Sequence, residues 1–164
     1  MDRVEEARGE YERVLEISRE AGNPLFEAAA RGNLGNLYLA LCEAEKARPY
    51  LEDAIVMFDE LAHYVAGTFR GSLALVEAEQ GDFRAARALL AQGEAPLRGT
   101  NKYEYAKFLC NKARVEHLAG DRAAANAAFT DAGALIEALN VGPRSELNAA
   151  LAEARAAQGK TAKD

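Results

Sequence analysis

Small and bulky apolar residues recur along the chain at spacings of three and four, with charged residues between them. The sets Ala47/Leu51/Ala54, Ala86/Leu90/Gly93 and Ala125/Phe129/Ala132 each place a small residue, a bulky one four positions on and a small one three further. Ala7/Tyr11/Val14 reads as an earlier copy whose first half is missing. A companion triplet stands at Leu34/Gly35/Tyr38, Leu73/Ala74/Glu77, Lys112/Ala113/Glu116 and Leu151/Ala152/Arg155. Such spacings bring side chains onto one face of a helix. At a helix crossing a small residue lets two backbones approach, and the bulky one fills the adjacent groove. The predicted unit is therefore an antiparallel helix pair.

The breaks between these stretches fall in register. Cys42, Gly81, Gly120 and Gly159 lie 39 residues apart, a period typical of repeat architectures. Gly81-Asp82 and Gly120-Asp121 offer a left-handed stop followed by an N-cap, closing one helix and opening the next. Asn23-Pro24 starts another helix, with Asn as cap and Pro in the first turn. Helices are predicted near 3–20, 24–41, 43–61, 64–80, 82–98, 102–119, 121–139 and 143–158. Pro49 should fall past the first turn of its helix and kink it, and Pro96 should act as a kink or an early stop. The expected organisation is one domain over residues 1–164. It comprises a partial repeat at 1–22, repeats at about 24–61, 64–100 and 102–140, and a terminal helix at 143–158.

Composition strengthens the helical reading. Alanine makes up roughly a fifth of the 164 residues while Val, Ile and Thr are scarce, which favours helix and nearly excludes a β-rich fold. With 28% charged residues and abundant Leu, the chain can order a core. No apolar run reaches the roughly 18 to 20 residues of a membrane span. The start, Met1-Asp2-Arg3-Val4-Glu5-Glu6, lacks the basic and apolar segments of a secretory signal, so the expected location is the cytoplasm, without a membrane. A net charge of −6 and a pI near 5.1 argue against nucleic acid as a partner.

The residues that carry chemistry do not form a catalytic or metal-binding pattern. Cys42 and Cys110 are too far apart for a CxxC motif, and His63 and His117 belong to no HExxH or His/Cys cluster, so no metal and no cofactor are expected. Carboxylate pairs such as Glu52/Asp53 and Asp59/Glu60 alternate with Lys and Arg as a solvated helix face does. Gly32-Asn33-Leu34-Gly35 lacks the GKS/T ending and the preceding strand of a phosphate loop, and reads as close helix packing. Ser18, Ser72 and Ser145 stand in no GxSxG elbow. No catalytic residue is nominated, and a non-enzyme is expected.

At Asn33-Leu34-Gly35-Asn36-Leu37-Tyr38, leading to Ala47, Leu51 and Ala54, the chain resembles the tetratricopeptide repeat family. The later copies carry Glu77 and Glu116 at the tyrosine place. The family's usual repeat is about 34 residues, so this longer form implies longer helices or looser turns. It is similar to the arrays attached to large bacterial signalling proteins such as regulator ATPases, cyclases and Ser/Thr kinases. The resemblance implies an all-α, right-handed superhelical solenoid of about eight helices, whose first helices line a concave face.

On that face the resemblance puts Ala29, Gly32, Asn33, Asn36 and Ala40, then Thr68, Gly71, Ser72, Leu75 and Glu79. Lys107, Cys110, Asn111, Arg114 and His117 follow, with Glu146, Ala149, Ala150 and Glu153 on the last helix. The nominated partner-binding residues are Asn33, Asn36, Ser72, Lys107, Asn111, Arg114 and His117. Small residues would make room, amides would pair with a peptide backbone, and Lys107 with Arg114 would attract a carboxylate or phosphate. For the amides, a solvated or helix-packing role stands as the competing reading.

One sub-family grips a C-terminal carboxylate with Lys, Asn, Asn, Lys and Arg. Carried over, this chain offers Gly32, Asn36, Ser72, Lys107 and Asn111, so only Asn36 and Lys107 match. The expected function is a non-catalytic module that binds a peptide or partner domain. The alternative is a self-associating or ligand-sensing segment of a larger bacterial signalling protein. For self-association, Val4, Tyr11 and Val14 at one end and Leu147, Leu151 and Ala154 at the other are expected as exposed, complementary faces of a homo-oligomer.

Overall fold

A computed structural model describes residues 2–160. Among them lie eight helices and no strand: α1 (Asp2–Glu20), α2 (Pro24–Ala40), α3 (Ala44–Glu60), α4 (Ala66–Glu79), α5 (Phe83–Arg98), α6 (Lys102–Leu118), α7 (Arg122–Leu139) and α8 (Glu146–Lys160). The helix starts follow the predicted caps. Asn23 Oδ1 accepts from Phe26 N at 3.3 Å, Asp82 Oδ1 from Ala85 N at 2.9 Å, and Asp121 Oδ1 from Ala124 N at 3.0 Å. The stops are left-handed at Gly22, Gly81 and Gly120, while Cys42 and Ala62 hold the corresponding turns at φ 59° and 49° despite their Cβ.

Three local expectations are corrected. α8 begins at Glu146 rather than near 143, because Ser145 Oγ, not the Pro143 ring, provides the cap by accepting from Asn148 N at 3.2 Å. Gly159 falls inside α8 and closes nothing, and it is followed by Lys160 where Asp82 and Asp121 follow the true stops. Pro96 does not stop α5, which runs on to Arg98.

The helices form an all-α repeat solenoid. Each even-numbered helix packs on its sequence neighbours and on the next even-numbered helix, whereas no odd-numbered helix packs on another. This asymmetry draws the even-numbered helices together and splays the others, so the array curves toward α2, α4, α6 and α8.

The contact between successive even-numbered helices repeats. A Cβ on Gly32 would stand 2.2 Å from the Phe69 ring, and one on Gly71 would stand 2.8 Å from the Phe108 ring. Cys110 and Leu147 lie together in the core at the third such place. Gly32, Gly71, Cys110 and the fully buried Leu75 therefore belong to the core, not to an open face as the resemblance implied. Gly32 and Gly71 make room for the aromatic rings of the next helix, and Cys110 stands opposite Leu147. Within a helix pair, Ala47, Leu51 and Ala54 are completely buried, and Leu51 fills the space that Gly35 leaves.

The chain ends also differ from expectation. Leu147 and Ala154 are buried against the preceding helices, and Leu151 packs partly on the same core, so they form no exposed apolar face. At the other end Tyr11 packs on Leu15, Ala30 and Leu34, while Val14 and Ile17 remain exposed.

Candidate functional site

The curvature brings α2, α4, α6 and α8 around a groove with about 210 Å³ of open volume, lined by Asn36, Thr68, Ser72, Lys107, Asn111 and Arg114 together with Glu146, Glu153 and several small residues of α2 and α8. Leu39, Ala40, Arg114 and Glu153 also border a neighbouring cavity of about 520 Å³, which adds Cys42, His117, Leu118, Ala156 and Ala157. The two spaces adjoin across these four shared residues, and together they are called the cleft. Its further end is apolar, with Leu118 exposed.

The 39-residue period turns the groove into ladders, in which equivalent residues of successive helices touch. Asn111 Nδ2 donates to Ser72 Oγ at 3.3 Å. Lys107 Nζ lies 2.8 Å from Glu146 Oε1, and Arg114 Nη1 lies 3.4 Å from Glu153 Oε2. Two further carboxylates complete the brackets: Glu104 is 3.9 Å from Lys107, and Glu79 is 3.7 Å from Arg114. Tyr103 adds a hydroxyl donor to Glu146 Oε2 at 3.3 Å.

Burial and charge set the titration of these groups. Burial pushes the Lys107 ammonium down, but Glu104 and Glu146 outweigh it and raise its pKa above the ordinary value. Burial raises Glu79 above the ordinary carboxylate value, against the pull of Arg114. The Cys110 thiol beneath the groove is pushed up to about 12, first by burial and then by Glu153, with Arg114 opposing, so it stays protonated and unreactive.

Of the nominated residues, Asn36, Ser72, Lys107, Asn111 and Arg114 are brought together in the groove, and His117 stands at the adjoining cavity. Asn33 is half-buried on α2 and does not line the groove. Each nominated cation has a carboxylate partner one period away. Lys107 and Arg114 are only 17% and 24% exposed, whereas their partners Glu146 and Glu153 are about 60% exposed.

Thr68 changes the picture most. It lines the groove at 2% exposure, and its Oγ1 has no hydrogen-bond partner. An unpaired buried hydroxyl is costly and is usually satisfied by water or a ligand. The sequence placed Thr68 on this face but carried no signal for the missing partner. Leu39 and Leu118 were not anticipated, although Leu118 occupies the same register place as Ala40 and Glu79. No group of three or more His, Cys, Asp or Glu able to hold a metal occurs among the described residues.

This arrangement defines a class: a curved array of helix pairs with a ligand-sized cleft on its inner face. The tetratricopeptide repeat family model matches residues 1–60, which span α1 to α3, and over that stretch the chain is similar to that family. No curated protein matches it. Among solved structures it is similar in fold to the crystal structure of BtubC (BKLC) from P. vanneervenii, with a TM-score of 0.62 and 22% sequence identity. The match covers 88% of this chain, which spans 62% of the length of that one. Repeat arrays of this kind serve protein–protein interaction in general. No helix among the described residues is long and apolar enough to cross a membrane.

Proposed function

We propose that the chain is a non-catalytic interaction module that receives a segment of a partner protein in the cleft between α2, α4, α6 and α8. The observation that carries this reading is the unpartnered Thr68 Oγ1 in the groove wall. Asn36 lines the same groove, and its amide can donate to and accept from a peptide backbone. Leu39, Leu118 and the alanines of α8 offer the apolar area next to it that ligand clefts use.

The test fills the cleft without changing its charge. Ala40 and Ala149 both line the groove and are both exposed, so Ala40→Leu/Ala149→Leu leaves the core intact. In affinity capture from the native lysate, a protein retained by the wild-type chain should be lost from this variant. Equal recovery on both chains removes the cleft from the function.

A second reading rests on the other end of the array, where Val14 and Ile17 on α1 and Leu25 and Phe26 at the start of α2 are exposed large apolar residues. On this reading the chain is a self-associating or ligand-sensing segment of a larger signalling protein, and two copies meet through α1. Because α8 buries its own apolar residues, the association is of like ends, not head to tail. Ile17→Arg should then abolish any concentration-dependent mass seen by light scattering. A strict monomer at all concentrations overturns the reading.

A further inference from the structure

We infer that the occupant of the cleft is an extended segment carrying two basic side chains three residues apart beside an apolar residue. This inference rests on the cleft being the binding site and adds the chemistry of the ligand.

Charge is the first argument. Four carboxylates, Glu79, Glu104, Glu146 and Glu153, lie within ion-pair distance of the two cations Lys107 and Arg114, a local surplus of two negative charges, with Glu146 and Glu153 in the groove lining and the other two behind it. The surplus is also asymmetric in depth: the cations are recessed and satisfied, and the outermost charges are Glu146 and Glu153. A ligand carboxylate would face these two before reaching any cation. A guanidinium or ammonium is attracted at once, and each rim carboxylate has acceptor sites left after its contact with α6. The net charge of −6 over the whole chain adds a long-range attraction of the same sign.

Spacing is the second argument. Glu146 and Glu153 lie two turns apart on α8, which at the helical rise is about 10.5 Å. Residues three apart on an extended chain of polyproline II form stand on one face about 9.3 Å apart, so basic side chains at those two places reach both rim carboxylates. Between them the ligand backbone runs past the Asn36 amide and over Thr68, a groove-wall residue whose buried hydroxyl lacks a partner. At the Glu153 end the cleft opens onto Leu39, Leu118, Ala156 and Ala157, which accept the apolar side chain.

The experiment selects binders from a random-peptide display library on the wild-type chain, on Glu146→Gln/Glu153→Gln and on the filled-cleft variant Ala40→Leu/Ala149→Leu. All three are first checked for native helicity. The wild-type chain should enrich Arg and Lys at a spacing of three. The best peptide, made with blocked termini, should bind the Gln variant roughly fivefold to tenfold more weakly, as two exposed ion pairs imply. Its affinity for the wild type should also fall with added salt, a readout that needs no variant.

Selected peptides rich in Asp and Glu, or without charge bias, would overturn the basic ligand. If those peptides are still lost on the filled-cleft variant, the cleft as binding site survives. Binding that the filled-cleft variant retains, or no enrichment on the wild type, sinks both.

Discussion

Arg87 donates from Nη2 to Glu116 Oε2 at 2.7 Å, joining the start of α5's outer turn to the buried end of α6. The same pair stands one period earlier between Arg48 and Glu77. In the first copy Tyr38 holds the acid's place and Gly9 the arginine's, and Tyr38 stacks instead on Tyr50 with ring centroids 5.5 Å apart. The glutamates that look like departures from the family pattern are thus half of a two-residue replacement, an ion pair in place of an aromatic stack.

That exchange predicts a non-additive pair. Arg87→Met leaves the Glu116 carboxylate, 9% exposed, without its main partner and should lower the melting temperature by several degrees. Arg87→Met/Glu116→Tyr restores an apolar contact of the Tyr38 kind and should recover more than half of the loss. Thermal melts of the two singles and the double, read as a cycle, check this. Equal losses in the single and the double would mean the pair is not coupled.

The glycines beneath the aromatic rings should tolerate no side chain. Gly32→Ala sets a Cβ against Phe69, whose ring is itself held in the core and stacks on Phe58 at 5.6 Å. Overpacking of this kind costs about 1–3 kcal/mol. Gly133→Ala, where nothing lies within 4 Å, should instead be neutral or slightly stabilising through helix propensity. Chemical denaturation of both variants tests the contrast.

Glu94 gives the fold a pH dependence of known sign. Burial raises its carboxyl, but hydrogen bonds from Lys112 and Arg98 outweigh this and leave it below the ordinary value of 4.5. A depressed carboxyl stabilises the folded state fully above the unfolded value, and the contribution is lost as pH falls through the folded one. The stability difference between the wild type and Glu94→Gln should therefore be largest at neutral pH and shrink below about pH 4.5. Melts across that range would show a constant difference if Glu94 did not titrate in this way.

Much of the fold could be read along the chain because each helix pair repeats a packing problem with a local solution. Gly81-Asp82 and Gly120-Asp121 solve the stop and the cap within two residues, and Ala47, Leu51 and Ala54 show the buried face by spacing alone. What escaped were contacts between equivalent places in different helices. Gly32 looked like room for a ligand because nothing nearby in sequence names Phe69 as its occupant. Lys107 and Arg114 looked like anion receptors for the same reason. Their partners Glu146 and Glu153 stand one full period away, in register, and become legible only when the copies are stacked. Thr68 could not be recognised at all, since an unmet hydrogen bond has no sequence pattern.

The stacked ladders also decide how the cleft treats a free acidic terminus. A clamp for a terminal carboxylate needs cations open to the ligand, yet Lys107 is held by Glu146 at 2.8 Å and Arg114 sits between Glu79 and Glu153. Reaching either cation means displacing an internal carboxylate while passing the exposed one, so the gain is offset by repulsion of similar size. A peptide ending in Asp or Glu should bind no more tightly than its amidated form. Glu146→Lys/Glu153→Lys reverses the rim, and with it the order: the free acid should then bind more tightly than the amide. Calorimetry on the four combinations tests the argument, and a clear preference of the wild-type chain for the free acid would show that the recessed cations govern binding after all.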